Sequence, residues 1–397
     1  MITTEQFGTV ESLPYPWKIP ATEVLEWATD VRTFNDGTEE RIRIRNAPRQ
    51  SFSFVINTTY PDDGIVFNKV YNNMKEQWAV PNWTQGETVS IVSGVDYIDY
   101  SNTYSDLWES SVALLWQSST QYEFVDIQHF GVGYGDYYGM YYGGATVSDF
   151  TYPSTGLKLA TGVSTTYTNA LLIPVRIGRV GIEKSSIYIN SDYSFTFVSD
   201  DNQDNVPSAP DQYLSNDIYY YVPRGSVTDS FDTRMDLLDN TTGIVDKYTP
   251  WSNTKFIRQF QFFLKDRTDI SDFRSFLYRR EGRYRSFWLP THERNLRISD
   301  SGTITTSLDI IDDGNPRDHI AFKLKYGGWI VRAISSYVES SPGILTLTLS
   351  SALNKTVNQI EKISYLGLYR LNTDRVEINW IRPNQCQATI PFIEIEP

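Results

Sequence analysis

Polar and apolar residues alternate with a period of two over much of the chain. Arg41-Ile42-Arg43-Ile44-Arg45 puts Ile on one face and Arg on the other, the pattern of a half-buried strand. Residues 51–56 repeat it, with Phe52, Phe54 and Ile56 inward. Segments 122–127, 170–177, 188–198, 329–334, 344–349, 375–381 and 390–396 follow the same rule. Helical spacing is confined to three places. Over 64–77, Val66, Val70 and Met74 recur at a spacing of four, and Asp62-Asp63 stand where a first turn is capped or charged. Over 271–281, Phe273, Phe276 and Leu277 share one face, Asp269 or Ser271 supplies an N-cap, and Gly282 a stop. Residues 22–29 read as a short third helix.

The elements recur in order. Arg49-Gln50 opens an aromatic strand, and so does Arg258-Gln259; a helix follows each. Then come Trp78-Ala79-Val80-Pro81 and Phe287-Trp288-Leu289-Pro290, at the same offset of 209. Asp30 and Asp239 keep that offset, each followed by a glycine, Gly37 and Gly243. Segment 122–127 resembles 329–334, and Val175-Arg176-Ile177 resembles Tyr369-Arg370-Leu371 at an offset of 194. A tandem duplication is the expectation, with about 15 extra residues in the first copy. The Gly/Tyr-rich tract 130–144 is the candidate for them, either a solvated excursion or a contact with a partner. A polar, acidic, Pro-containing stretch falls at the boundary. The expected fold is therefore mainly β with a few short helices, a β-rich α+β class. It has two similar tandem sandwich- or barrel-like domains with one helix each: 1–200, a linker at 201–211, and 212–397.

Composition narrows the function. The 397 residues hold 35 Lys+Arg against 48 Asp+Glu, a net charge of −13, which disfavours gripping nucleic acid or an anionic membrane. One cysteine, Cys386, excludes an internal disulfide and any multi-cysteine metal cluster. No apolar run is long enough to span a bilayer, and Met1–Glu5 lack the marks of a signal peptide. The 27 Tyr, 20 Phe and 10 Trp require burial in a core or against partners.

Catalytic signatures are missing. There is no phosphate-binding glycine loop and no nucleophile elbow. His129, His292 and His319 stand apart in sequence, and Asp62-Asp63 and Asp312-Asp313 sit in turn-type sequence. Asp200-x-Asn202-x-Asp204 lacks the glycine and glutamate of a calcium loop. Asn57, Asn82 and Asn240 head glycosylation sequons, which mean little without secretion. Trp78 and Trp288 with their prolines are expected to seal a core, and Cys386 to act as a small apolar residue. No catalytic, cofactor-binding or metal-binding residue is expected.

Some of these residues resemble known proteins. Val24-Leu25-Glu26-Trp27-x-Thr29-Asp30-Val31, Asp36-Gly37-Thr38-Glu39-x-Arg41, Arg45-x-x-Pro48-Arg49 and the strand 51–54 resemble the opening of a group of tailed-bacteriophage tail proteins. Segment 273–290 resembles the matching part of them and of single-copy distal tail proteins. The resemblance covers about half of the chain, mostly near 24–54 and 255–297, and includes neither the Gly/Tyr tract nor the linker. It implies a virion component at the tail tip, in the distal-tail or baseplate-hub position, made and assembled in the bacterial cytoplasm. Some such hubs carry a cysteine-bound iron–sulfur cluster, which this chain lacks the cysteines to hold. The implied partners are copies of itself in a ring, the tail tube protein, other tail-tip proteins, and DNA passing without specific binding. Two similar domains per chain favour a trimer with pseudo-six-fold symmetry, with a hexamer second. A receptor- or carbohydrate-binding module is the alternative, and a carboxylate-based glycosidase the third reading.

Overall fold

The computed structural model describes all residues except 1, 5–7, 60–61, 99–110, 133–154, 188–189, 201–209, 234, 240, 242, 244, 250, 252–253, 300–301, 312–316 and 396–397. Most of the Gly/Tyr tract, most of the linker and the Asp312-Asp313 pair lie outside the described residues. The fold is mainly β, with two α-helices among the described residues.

The first repeat runs β1 (Gly8–Ser12), β2 (Lys18–Glu26), a hairpin of β3 (Thr29–Thr33) and β4 (Glu39–Arg43), β5 (Arg49–Thr59), α1 (Asp62–Asn73), β6 (Trp78–Pro81), β7 (Tyr167–Ile187) and β8 (Asn190–Ser199). The second runs β9 (Asn216–Ile218), β10 (Val227–Asp232), a hairpin of β11 (Asp236–Asp239) and β12 (Val245–Tyr248), β13 (Lys255–Leu264), α2 (Arg267–Arg280), β14 (Phe287–Pro290), β15 (Ile360–Leu371), β16 (Arg375–Arg382) and β17 (Gln385–Glu394).

The two halves pair alike. β1 lies parallel to β6 and β9 parallel to β14. β2 and β8 flank β5, as β10 and β17 flank β13. β6 pairs β7, and β14 pairs β15. β8 pairs the end of β7, a run that the second repeat splits between β15 and β16. An acid on the parallel strand reaches the helix in each half: Glu11 meets Lys69 at 3.5 Å, and Asp217 meets Arg279 at 3.0 Å. Between β6 and β7 a β insertion builds its own small core, and another does so between β14 and β15. The insertion strands Val112–Ser118 and His319–Leu324 attach to β7 and β15 respectively.

These ladders correct the sequence alignment. Phe52 faces Phe197 as Arg258 faces Phe392, so the aromatic strands correspond at an offset of 206, not 209. The difference of three is odd. It would set buried Gln50 against exposed Gln259, on opposite faces of a strand. Three extra residues in α2 and its exit turn restore 209 by Trp78 and Phe287. Opposite these, Gly178 and Tyr369 correspond, so Arg179 rather than Arg176 is the counterpart of Arg370. From Pro81 to Val175 the first copy is 18 residues longer than from Pro290 to Leu366.

Other expectations change too. Residues 22–29 hold no helix: 22–26 belong to β2 and Thr29 opens β3, both edges of β2 are hydrogen-bonded, and Ala21, Glu23 and Leu25 point inward. At 41–45 the faces are reversed. Ile42 and Ile44 are exposed, whereas Arg41 is half-buried and Arg43 meets Glu281. α1 ends before Met74, which is exposed. α2 begins earlier, capped by Asp266 accepting from the Asp269 N–H at 2.9 Å. Segments 170–177 and 188–198 become one 21-residue strand and its hairpin partner.

The repeats are not separately cored. β2 pairs with β16 across the boundary, and the largest cluster of buried apolar residues draws on both halves, from Leu25, Phe52 and Phe195 to Phe260, Phe273 and Trp380. Leu25 is fully buried there. Leu25→Ala is expected to cost ~2–5 kcal/mol by the cavity it leaves. Hydrogen exchange then accelerates in β16 and β17 as well as in β5. Faster exchange limited to the first repeat would contradict a shared core.

Candidate functional site

The joint between the repeats carries three polar knots. Glu23, wholly buried on β2, accepts hydrogen bonds from Gln50 at 2.7 Å, from Arg274 of α2 at 2.5 and 2.7 Å, and from the Trp380 indole of β16 at 3.1 Å. A carboxylate buried to this depth persists only when charge and donors surround it. Arg274 also lies over the Trp380 ring.

A second knot holds the β3–β4 hairpin of the first repeat against the second. Glu39 accepts from Arg370 at 2.7 and 3.0 Å and from Lys255 at 3.1 Å. Burial pushes the Glu39 carboxyl up, but these two cations outweigh it and leave the group below its usual range. At the hairpin turn, Gly37 adopts φ +91, and a Cβ there would stand 3.2 Å from the Trp251 ring. A third knot forms around Asp374. It accepts from the Thr29 and Arg283 N–H groups at 3.0 and 2.8 Å and from the Arg283 side chain at 3.1 Å. Trp27 packs edge-on to Tyr278 of α2, and Gly282, at φ +68, leaves no room for a Cβ beside Trp27.

Two open clefts flank the joint. One, of about 360 Å³, is lined by Asp36 and Gly37 from one repeat and Lys255, Trp288, Arg317 and His319 from the other. The other, of about 550 Å³, is lined by Glu39, Arg41, Asp217, Arg279, Arg280 and Tyr284. Desolvation lowers Arg280 to about 10 beside Asp217. Arg280 donates to Asp217 and to the Ser286 carbonyl, so it is a clamp for the end of α2.

The residues singled out by sequence do not converge. His319 receives or gives a hydrogen bond at 3.0 Å with the Tyr213 hydroxyl and stacks edge-on to Trp288. His292 lies between Phe260 and Trp329, in a separate position. The His129 side chain lies outside the described residues. Asp62 is an exposed first residue of α1. Asn57 donates to Asp192, and Asn82 is a buried cap of a 3-10 turn. Trp78 and Trp288 are buried, sealing their repeats. Cys386 is buried, its thiol pushed up to about 12 by desolvation. Among the described residues, no group of three metal-ligating side chains comes together.

Sequence reasoning missed Glu23, Arg274 and Asp374. The available signal was an acid at an inward position of an alternating strand, and reading 22–29 as helix hid it. Compared with known proteins, the chain matches no family model and no curated sequence.

Removing one partner of the Glu23 pair strands the other in the interior, so Arg274→Met is expected to lose ~3–5 kcal/mol in denaturant unfolding. Glu23→Gln combined with Arg274→Met is expected to lose less than the two single changes added together. Additive losses would mean that the pair is not coupled.

Burial, followed by the nearby charges of Lys362 and Arg258, lowers His292 to about 3. The folded state therefore resists protonation that the unfolded state accepts below about 6.5. Stability is complete above that pH and is lost as pH falls toward 3. His292 has φ 63, which Asn tolerates. His292→Asn is expected to flatten the stability–pH curve between these limits; an unchanged acid limb would refute the assignment.

Proposed function

We propose that the chain is a structural component of a bacteriophage virion tail tip, a ring in the distal-tail or baseplate-hub position that joins the tail tube to the tip. It leaves a channel for DNA and performs no catalysis.

One observation carries this reading. The residues behind the tail-protein resemblance are those that build the joint. Leu25 and Trp27 are buried in it, Thr29 binds Asp374, Gly37 packs on Trp251, and Glu39 binds Arg370 and Lys255. The same motif thus serves side-by-side fusion of two like units, which is the operation a ring repeats. Three chains then present six similar units to a six-fold tube, and three to a central spike. An acidic chain of net charge −13 also suits a conduit that must not hold DNA.

In particles that contain this chain, an antibody against it is expected to label the tail tip, and images of the isolated ring to show three-fold order with six similar lobes. Labelling of the capsid would refute the tail assignment. A ring of six chains would refute the trimer.

A further inference from the structure

We propose that a second copy of this chain docks by adding its β10 to the open edge of β7 on the first repeat. This repeats between chains the contact that β2 makes with β16 inside one. The inference goes beyond the tail assignment and rests on the repeat alone.

β2 is used on both edges, by β5 and by β16. Its counterpart β10 pairs only β13 among the described residues, and all six of its residues are exposed. The counterpart of β16 in the first repeat is the end of β7. Residues 181–187 pair β8 as β16 pairs β17, and no described strand occupies their other edge. Among the described residues, one chain thus has a donor strand with one unpaired edge on its second repeat and an unpaired acceptor edge on its first. Such edges recruit another strand by main-chain hydrogen bonding.

The side chains follow the same template. Leu25, wholly buried at the joint, corresponds to Phe231, which is 73% exposed and stacked on Phe256. Buried Thr29 corresponds to exposed Met235, and half-buried Val31 to exposed Leu237. Thr233 stands at the place of Trp27, so the apolar load on β10 falls on Phe231.

The acceptor side is apolar where this requires. An open groove of about 160 Å³ runs between α1 and the β7 edge, lined by Phe67, Tyr71, Met74, Ile182 and Lys184. Tyr71 is 73% exposed. Within the chain, Val376 faces Leu25 and Ile378 faces Glu23. Transposed between chains, that register sets Ile182 opposite Phe231, an apolar pair, and Lys184 opposite Asp229, whose carboxylate already accepts from Arg258 at 3.0 and 3.1 Å.

Donor and acceptor lie on different repeats, so the contact is head-to-tail. It closes into a ring or runs on as a filament. The test uses the full chain. Wild type is expected to form a closed oligomer in sedimentation at micromolar concentration. Phe231→Asp disables only the donor and Tyr71→Asp only the acceptor; each is expected to remain a folded monomer. Mixed in equal amounts, they should give a heterodimer and nothing larger, because one intact donor meets one intact acceptor. Hydrogen exchange on wild type gives a second readout: amides of 181–187 and of β10 slow on assembly. A wild type that stays monomeric, variants that assemble as wild type does, or a mixture without heterodimer would overturn the proposal. Labelling away from the tail would sink the tail reading and leave this contact standing.

Discussion

The structure depends on β2, a nine-residue strand hydrogen-bonded on both edges. One edge closes the first repeat through β5; the other enters the second through β16. Its inward face carries Glu23, and a slip of β2 by one residue would turn that carboxylate away from Arg274 and the Trp380 indole. The ion pair therefore fixes register as well as contact. The hairpin β3–β4 follows directly in sequence, so the strand that fuses the repeats also delivers Glu39 to Arg370 and Lys255.

This joint explains where the two repeats have kept their likeness and where they have diverged. The ladders around β5 and β13 match strand for strand, because each must seal one helix over one sheet. Divergence collects at the edges. β2 carries a buried acid and β10 an exposed phenylalanine at neighbouring inward positions. The end of β7 is continuous, where the second repeat inserts a loop with Asp374 and turns into β16. One repeat is finished by the other, whereas among the described residues no strand pairs the outer edges of β10 and of residues 181–187.

Much of the fold was legible in the sequence. Period-two alternation located most strands, and Ile344–Leu349 was bounded to the residue because leucine and threonine alternate there without interruption. The recurrence of aromatic strand, helix and Trp–Pro segment pointed to the duplication. What failed was local. The Arg49-Gln50 and Arg258-Gln259 match misled because identical residue pairs can occupy opposite faces of equivalent strands. Residues 22–29 misled because a buried glutamate breaks an apolar alternation, although its partners lie far away in sequence. The Arg face at 41–45 misled because Arg43 has Glu281 and Arg45 the Glu26 carbonyl to meet, while Ile42 and Ile44 are left exposed. The joint itself was illegible for the same reason: its ion pairs join residues hundreds of positions apart.

A side-chain-resolution map of the assembled oligomer tests the proposal that the joint between repeats is also the joint between chains. β10 of one chain is then expected to lie antiparallel to residues 181–187 of the next, with Phe231 opposite Ile182 and filling the groove beside Tyr71. Chains meeting through any other surface, or through the same surface on both partners, would contradict it.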